Sequence, residues 1–437
     1  MGIHHGGPRR STEVGRGCFP SVAVRRSWIG VVAMVCLMAL PVRLAVAQRG
    51  GEAVRDPVGS SRAFQQRAWR IQEGKLRIVS DIAPEQRRET FEKTRWLLST
   101  IELVFDGMAT RRPSDGLEVF YANDRNDYLS ILRTEANADG SNTAGMAAYG
   151  GRRTMLFVRG LEWRTIQHEA WHASRSVFIP NMPTWLDEGL AEIFEHGAFL
   201  DDQFTIGGVG DDDLRKVRAL IETGNWIPIE RFVQSDAAWN QRVRNGDIEG
   251  YAQYVQAWAI CHFLLFADDG EHRGRINTFM RSLNRGADAW TAFDAAIGRN
   301  SRSVEALDQE VRAWFTSAKP VELKAIHATL AAWADEAGAD LPERGRFDFE
   351  AIEASLVAWM ADPARGSAAR SLDDPQITIK AGRRGQGPVV RIDPLDGLGW
   401  TVTWSRNDQK RRRRRGDDET PIDERTWIPS VRWSLSS

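Results

Sequence analysis

The order of hydrophobic patterns along the chain is the feature that most limits its fold. Before residue 160, most patterns alternate as strands do, over 75–82, 116–122, 144–151 and 154–158, with one helical pattern between 84 and 105. Helical patterns dominate afterwards, at 161–176, 184–197, 211–223, 251–267, 273–284 and 303–317. Strands followed by helices are typical of the α+β class. We therefore predict a small N-terminal mixed sheet and a mainly helical subdomain, together spanning 75–318.

The pattern changes again after residue 318. Two further helical segments lead to a hinge-like stretch around Pro363. Four short alternating runs follow, with the sequences QITIK, PVVRI, GWTVTW and SVRWSL. We predict a helical connector at 319–369 and a small β-rich module at 370–437, in which Trp400, Val402 and Trp404 share one strand face.

The first 47 residues have the features of an export signal. Arg25 and Arg26 precede an apolar run, and Ala45-Val46-Ala47 offers the small residues that a signal peptidase recognises. The run is shorter than the roughly 20 apolar residues that a membrane-spanning helix needs. We predict a signal peptide at 1–47, cleavage after Ala47, a secreted or periplasmic protein and no membrane span in the mature chain. An uncleaved anchor is the alternative.

Residues 48–74 show no clear period and are interpreted as a linker. Of the three cysteines, only Cys261 would remain after cleavage, so the mature chain cannot form an internal disulfide.

The charge balance limits the choice of partners. The formal net charge is −1, which gives no global reason to expect a nucleic acid or a membrane surface. The run Arg411 to Arg415, extended by Lys410, is a candidate contact for anionic polymers. Because Asp417, Asp418 and Glu419 follow at once, a solvated, self-neutralising hairpin loop is the alternative interpretation.

The residues that point to chemistry begin with His-Glu-Ala-Trp-His at 168–172. In a helix, His168 and His172 project from the same face one turn apart and can chelate one zinc ion. Glu169 cannot bind the same ion without distortion, but it is placed to contact a water on the metal. This is the HExxH arrangement of zinc hydrolases.

A hydrolytic zinc site needs a third protein ligand and one open position. One metalloprotease pattern requires glycine and histidine where this chain has Arg175 and Phe178, so that pattern is excluded. The next helical segment carries Glu188 and Glu192 on one face. Glu188 could complete the ligand set, and Glu192 could accept the free ring N–H of a ligand histidine.

HEAWH followed by PTWLDEGLAE resembles the gluzincin metallopeptidases, in which a glutamate on the following helix binds zinc. The segment WLDEGLA is similar to WLNEGFA of the aminopeptidase-N-like enzymes, which assigns the third ligand to Glu188. With YVQAWAICHFLL at 254–265, the chain also resembles a bacterial family of the peptidase MA-like group. The resemblance covers about 75–318 and implies a gluzincin-like fold.

Two features depart from that pattern. The connection between His172 and Glu188 is about one helical turn shorter than in the best-known gluzincins, and Glu192 stands where thermolysin-like enzymes carry aspartate.

A phenol that stabilises the developing oxyanion would complete the site. Tyr149, Tyr251 and Tyr254 are candidates, and Tyr254 is preferred because it begins the family-like helix.

These observations predict an exported zinc metallopeptidase with one Zn²⁺ per chain, held by His168, His172 and Glu188. Glu169 would act as the general base and Tyr254 as the oxyanion donor, on a peptide or protein substrate. If AGMAAYG is an exposed edge strand above the metal, an extended peptide could pair with it. The alternatives are a zinc hydrolase of non-peptide amides or esters, and a non-catalytic scaffold.

Overall fold

The structure is a computed structural model. It describes residues 57–105, 116–141, 143–150, 153–175, 182–235, 238–239, 248–267, 270–299, 303–342, 346–361, 376–383, 386–393, 398–406 and 427–435. The predicted signal peptide and the run Lys410 to Arg415 lie outside the described residues. Residues 46–437 belong to one compact unit.

A five-stranded mixed sheet forms the N-terminal half. Its strands are β1 (Trp69–Glu73), β2 (Leu76–Ser80), β3 (Leu117–Ala122), β4 (Gly145–Gly150) and β5 (Arg153–Arg159), in the spatial order β1-β2-β3-β5-β4. The pairs β2/β3 and β3/β5 are parallel, whereas β1/β2 and β4/β5 are antiparallel. The predicted mixed sheet is confirmed, and β4 lies at its edge as the sequence pattern indicated.

Helices account for most of the remaining described residues, in agreement with the α+β prediction. They are α1 (Pro57–Arg67), α2 (Arg87–Val104), α3 (Arg125–Ala136), α4 (Trp163–Arg175), α5 (Thr184–Glu195), α6 (Asp211–Glu222), α7 (Ile229–Gln234), α8 (Ile248–Phe266), α9 (Arg273–Asn284), α10 (Ala289–Phe293), α11 (Val304–Ser317), α12 (Leu323–Asp340) and α13 (Phe349–Ala361). Among the described residues, no helix is long and apolar enough to cross a membrane.

The linker prediction for 48–74 is wrong from residue 57 onward. Helix α1 buries Phe64, and β1 pairs along its whole length with β2 through a turn at Gly74, whose φ is 59°. The indole of Trp69 donates to the carbonyl of Ile82 at 2.6 Å. These residues are ordered by contacts with later parts of the chain, which a local sequence period does not reveal.

The predicted C-terminal β-rich region is present as a four-stranded antiparallel sheet. It contains β8 (Gln376–Lys380), β9 (Gln386–Asp393), β10 (Leu398–Arg406) and β11 (Trp427–Leu435), in the order β11-β10-β9-β8. Trp400, Val402 and Trp404 are all fully buried, which confirms that they share one face. A short hairpin, β6 (Ala198–Leu200) with β7 (Gln203–Thr205), follows α5.

Candidate metal centre

Helix α4 carries the two histidines on a well-packed support. Ile166, Ala170 and Trp171 are fully buried, and the Trp171 ring lies 5.1 Å from that of Phe105 and 5.5 Å from that of Phe194. Phe194 belongs to α5, so the indole fixes the two helices against each other. Because His168 and His172 are one turn apart on α4, this packing directs both imidazoles toward α5.

Three predicted ligand atoms converge between the two helices. The Nε2 atoms of His168 and His172 are 3.1 Å apart, and they lie 3.4 Å and 3.6 Å from Oε2 of Glu188. Ligands about 2.0–2.1 Å from a tetrahedral zinc ion are separated by roughly 3.3 Å. The observed separations bracket that value, so the geometry of the three residues fits zinc.

The opposite ring nitrogen of each histidine faces a carboxylate. Nδ1 of His168 lies 2.9 Å from Oε2 of Glu195, and Nδ1 of His172 lies 3.0 Å from Oδ1 of Asp187. Ionised carboxylates only accept hydrogen bonds, so both histidines donate from Nδ1, and Nε2 is the nitrogen that would bind a metal once its proton is displaced. Both rings are therefore oriented to bind a metal through Nε2.

The sequence pattern predicts Glu192 as the partner of a ligand histidine, whereas the structure places Glu195 at hydrogen-bond distance from that ring. The nearest approach of Glu192 to Nδ1 of His168 is 3.8 Å, whereas Glu195 makes the hydrogen bond and also lies 3.4 Å from Arg164. The spacing of Glu188, Glu192 and Glu195 indicates one helix face. The crossing of α4 and α5, which the sequence does not specify, brings the last turn of α5 to the ring.

His168, Glu192 and Glu195 form a second group of close metal-ligating residues among those described. This group lies on the Nδ1 side of His168 and omits His172. It would need the nitrogen that donates to Glu195, so the set with both Nε2 atoms is the better metal site.

Asp187 connects the site to a wider network that the sequence analysis missed. Its Oδ1 also accepts from the indole Nε1 of Trp171 at 3.1 Å, and its Oδ2 accepts from Nη1 of Arg175. Nε of Arg175 donates in turn to the Tyr149 hydroxyl at 3.3 Å, and that hydroxyl donates to the carbonyl of His172. The sequence feature that could have identified Asp187 is its position directly before Glu188.

Electrostatic interactions among the three candidate ligands favour protonated histidines and an ionised Glu188. Burial lowers the pKa of His168, but hydrogen bonds to Glu188 and Glu195 outweigh it and raise the pKa to about 10. Burial likewise opposes the effect of Asp187 and Glu188 on His172, whose pKa is raised well above its ordinary value. Burial raises the pKa of Glu188, but the two histidines hold it well below the ordinary range. Without a metal ion, the histidines retain protons that binding would displace.

Glu169 lies against the edge strand. A Cβ placed on Gly145 would be 2.6 Å from Cγ of Glu169 and 2.8 Å from Cγ2 of Thr165. Glycine at this position therefore lets β4 approach the face of α4 that carries Glu169. Four residues along the same strand, Tyr149 contacts the backbone of His172, so β4 runs beside the HExxH segment.

The structure places the predicted oxyanion donor on α8. The Tyr254 ring is half-buried and packs edge-on against Trp239, with ring centroids 5.1 Å apart. Its catalytic role stays a prediction. Tyr149 donates a hydrogen bond to the backbone carbonyl of the candidate ligand His172. Tyr251 lies outside the described side chains.

Helix α8 packs directly on the helix that supplies the glutamate. A Cβ on Gly189 would lie 2.6 Å from both the Ala257 carbonyl oxygen and Cys261 Sγ. The glycine after Glu188 thus permits close contact of α5 and α8. Cys261 is fully buried, as expected for a core residue.

The comparison with known families covers this same region. Residues 162–285 match a family described as Protein of unknown function (DUF1570). The match includes α4, α5 and α8, and therefore the three candidate ligands His168, His172 and Glu188. No curated protein matches the chain.

Proposed function

We propose that the protein is an exported zinc-dependent peptidase. The observation that supports it most is the convergence of two Nε2 atoms and one carboxylate oxygen at 3.1–3.6 Å, with both Nδ1 atoms held by carboxylates. His168, His172 and Glu188 would hold one zinc ion per chain. The predicted export signal supports action outside the cytoplasm.

In the proposed reaction, the water and the substrate are activated by the metal, and Glu169 transfers the proton. Bound zinc supplies a lowered water pKa and a polarised scissile carbonyl. Glu169 takes a proton from the attacking water and delivers it to the departing amine nitrogen. Its side chain rests on Gly145, which limits its freedom to turn away from the HExxH face.

The edge strand supports a peptide as the substrate. Strand β4 pairs with β5 on one side and is the last strand of the sheet. An extended peptide that added to β4 would gain main-chain hydrogen bonds and pass the face of α4 that carries Glu169. These contacts depend on the peptide backbone, so they favour a peptide over an isolated ester or amide.

The test combines metal content with turnover. Purified residues 48–437 should carry close to one zinc per chain, and His172→Ala and Glu188→Ala should abolish stoichiometric binding. Glu169→Gln should keep its zinc and lose at least about 10²-fold in kcat on a peptide selected from a library. The matched control is Glu162→Gln, an exposed carboxylate just before the same helix, which should change neither property.

Three results would contradict parts of the proposal. Full zinc content in Glu188→Ala would show that the third ligand is wrong. Unchanged turnover in Glu169→Gln would refute the general base. A zinc-loaded wild type that cleaves esters or non-peptide amides but no peptide would refute the peptidase assignment.

A further inference from the structure

Arg175 lies at the end of α4, one turn beyond His172. Its guanidinium is fixed on two sides, by Asp187 through Nη1 and by the Tyr149 hydroxyl at 3.3 Å through Nε. The guanidinium carbon is also 5.9 Å from the centre of the Tyr149 ring. Arg175 is therefore held in place without using all of its five donors.

The Arg175 side chain is partly exposed and keeps one donor group without a partner among the described residues. Among the contacts made by described residues, Nη1 and Nε have hydrogen-bond partners and Nη2 has none. The Arg175 side chain is 29% exposed, and Tyr149 beside it is 47% exposed. A partly buried, pre-oriented guanidinium binds a carboxylate more strongly than a mobile surface arginine does, because less side-chain entropy is lost.

The acidic partner of Arg175 divides its hydrogen bonds among several donors. Asp187 also accepts from Nδ1 of His172 and from the Trp171 indole. The Nη2 group of Arg175 can therefore donate to a second carboxylate, beside the Tyr149 ring. We propose that Arg175, supported by Tyr149, binds a carboxylate of the substrate beside the bond that is cleaved. This inference rests on the proposed peptidase function and narrows its substrates to peptides that carry a carboxylate near the scissile bond.

The helix geometry places this carboxylate along the substrate. The midpoint of His168 and His172 is five residues before Arg175, which is about 7–8 Å along the helix axis. An extended peptide advances about 3.3 Å per residue. A substrate lying along β4 would therefore present its carboxylate about two residues from the scissile bond. The carboxylate belongs either to an Asp or Glu side chain or to a free C-terminus.

A peptide series tests the position and the source of the charge. Starting from one cleaved sequence, glutamate is placed one to four residues on either side of the scissile bond, with glutamine at the same position as the neutral partner. We expect one position about two residues away to favour glutamate by about 10- to 100-fold in kcat/KM, the effect of a hydrogen bond to a charged group. Peptides with free and amidated C-termini distinguish a terminal carboxylate from a side chain.

Variants then assign the preference to Arg175. Arg175→Gln should remove the preference, so that the glutamate and glutamine peptides have equal kcat/KM within this variant. The ratio of the two peptides is the measure, because Arg175 also contacts Asp187 and its loss can change kcat/KM for both peptides alike. Tyr149→Phe leaves the Asp187 contact untouched and should weaken the preference. Arg133→Gln, an exposed arginine on α3, is the control and should preserve it. Zinc content is measured for every variant.

A binding measurement keeps the two proposals separable. In the Glu169→Gln background, labelled glutamate and glutamine peptides are compared by fluorescence anisotropy, with and without Arg175→Gln. Tighter binding of the glutamate peptide that disappears with Arg175→Gln supports the carboxylate site. Equal binding of both peptides overturns it, as does an equal loss for both in Arg175→Gln and Tyr149→Phe. If zinc-loaded wild type cleaves peptides but prefers no glutamate position, the carboxylate site fails and the peptidase proposal stands. If it cleaves no peptide, both proposals fail.

Discussion

Asp187 determines the orientation and basicity of the His172 ring, and therefore how that ring would bind a metal. Its carboxylate accepts from Nδ1 of His172 at 3.0 Å and is itself held by Trp171 and Arg175. The charge of Asp187 increases the basicity of the ring, and the three contacts fix the ring plane. A ligand histidine without such a partner would lose both contributions.

Asp187→Asn should therefore weaken zinc binding without preventing folding. The amide keeps the size of the side chain but removes its charge, and we expect zinc affinity to fall about 10- to 100-fold. Competition against a chelator of known affinity measures the change. Asp211→Asn, an exposed aspartate at the start of α6, is the control. Equal zinc affinity in wild type and Asp187→Asn would show that Asp187 only supports packing.

At the scale of single residues, the sequence predicted which side chains meet but not all of their partners. His168, His172 and Glu188 converge as the spacing indicated. The choice between Glu192 and Glu195 depends on the angle and depth at which α5 crosses α4. That angle follows from the packing of Trp171 with Phe105 and Phe194, which arises from distant segments.

At the scale of elements, the close contact between α5 and α8 depends on Gly189, because glycine has no side chain. Gly189→Ala would place a Cβ 2.6 Å from the Ala257 carbonyl oxygen, which is backbone and cannot rotate away. We expect a loss of about 1–3 kcal/mol in unfolding free energy, as for other overpacked sites. Urea unfolding measures it. Gly274→Ala on α9 has open space around it and should be neutral or stabilising by up to about 1 kcal/mol.

A partly buried ion pair joins the end of α5 to the start of α6. Nε2 of His196 lies 3.3 Å from Oδ1 of Asp213, which Lys216 also contacts at 3.2 Å. Burial opposes charge on both groups. Even so, His196 and Lys216 lower the pKa of Asp213 well below its usual range, and Asp213 raises the pKa of His196.

Asp213→Asn should therefore destabilise the protein in a pH-dependent way. The Asp213 contribution is complete above the ordinary aspartate pKa of about 3.9, and that of His196 is complete below the ordinary histidine pKa of about 6.5. We expect a loss of roughly 1.5–3 kcal/mol near pH 5–6. The loss should shrink as pH falls through the folded-state pKa of Asp213 or rises through that of His196. Urea unfolding at several pH values measures it, and a pH-independent difference would contradict the ion-pair interpretation.

The sequence predicted strands β2 to β5 and most of the long helices, because each has a clear apolar period. It missed α3, although Asp124 caps it by accepting from the amide nitrogens of Asn126 and Asp127. The apolar residues of α3 are confined to a short central cluster, Tyr128 to Leu132. A stripe of that length is easily taken for part of a loop, and packing with α1 and the sheet completes the element.

At the scale of the whole molecule, the C-terminal sheet packs directly against the helical part and is hydrogen-bonded to it. The Trp404 indole donates to the carbonyl of Ala334 in α12 at 2.8 Å, and its ring lies where a side chain on Gly338 would be. The side chain of Gln203 in the β6–β7 hairpin donates to the Val431 carbonyl at 3.1 Å and accepts from the Trp433 amide at 3.0 Å. The core is continuous across these contacts.

This continuity predicts that destabilising the C-terminal sheet also destabilises the proposed metal centre. Trp404 is fully buried, and Trp404→Ala should cost about 3–5 kcal/mol, as for other large aromatic truncations. Because residues 46–437 form one compact unit, loss of secondary structure and release of zinc should occur together, both at lower temperature than in wild type. Circular dichroism and a zinc-sensitive dye follow the two events in one heating experiment. Thr401→Ala on the opposite face of β10, where the side chain is half-buried, is the control and should leave both transitions nearly unchanged. Zinc release at the wild-type temperature, after an earlier loss of the β-sheet signal, would instead show that the C-terminal sheet unfolds as an independent module.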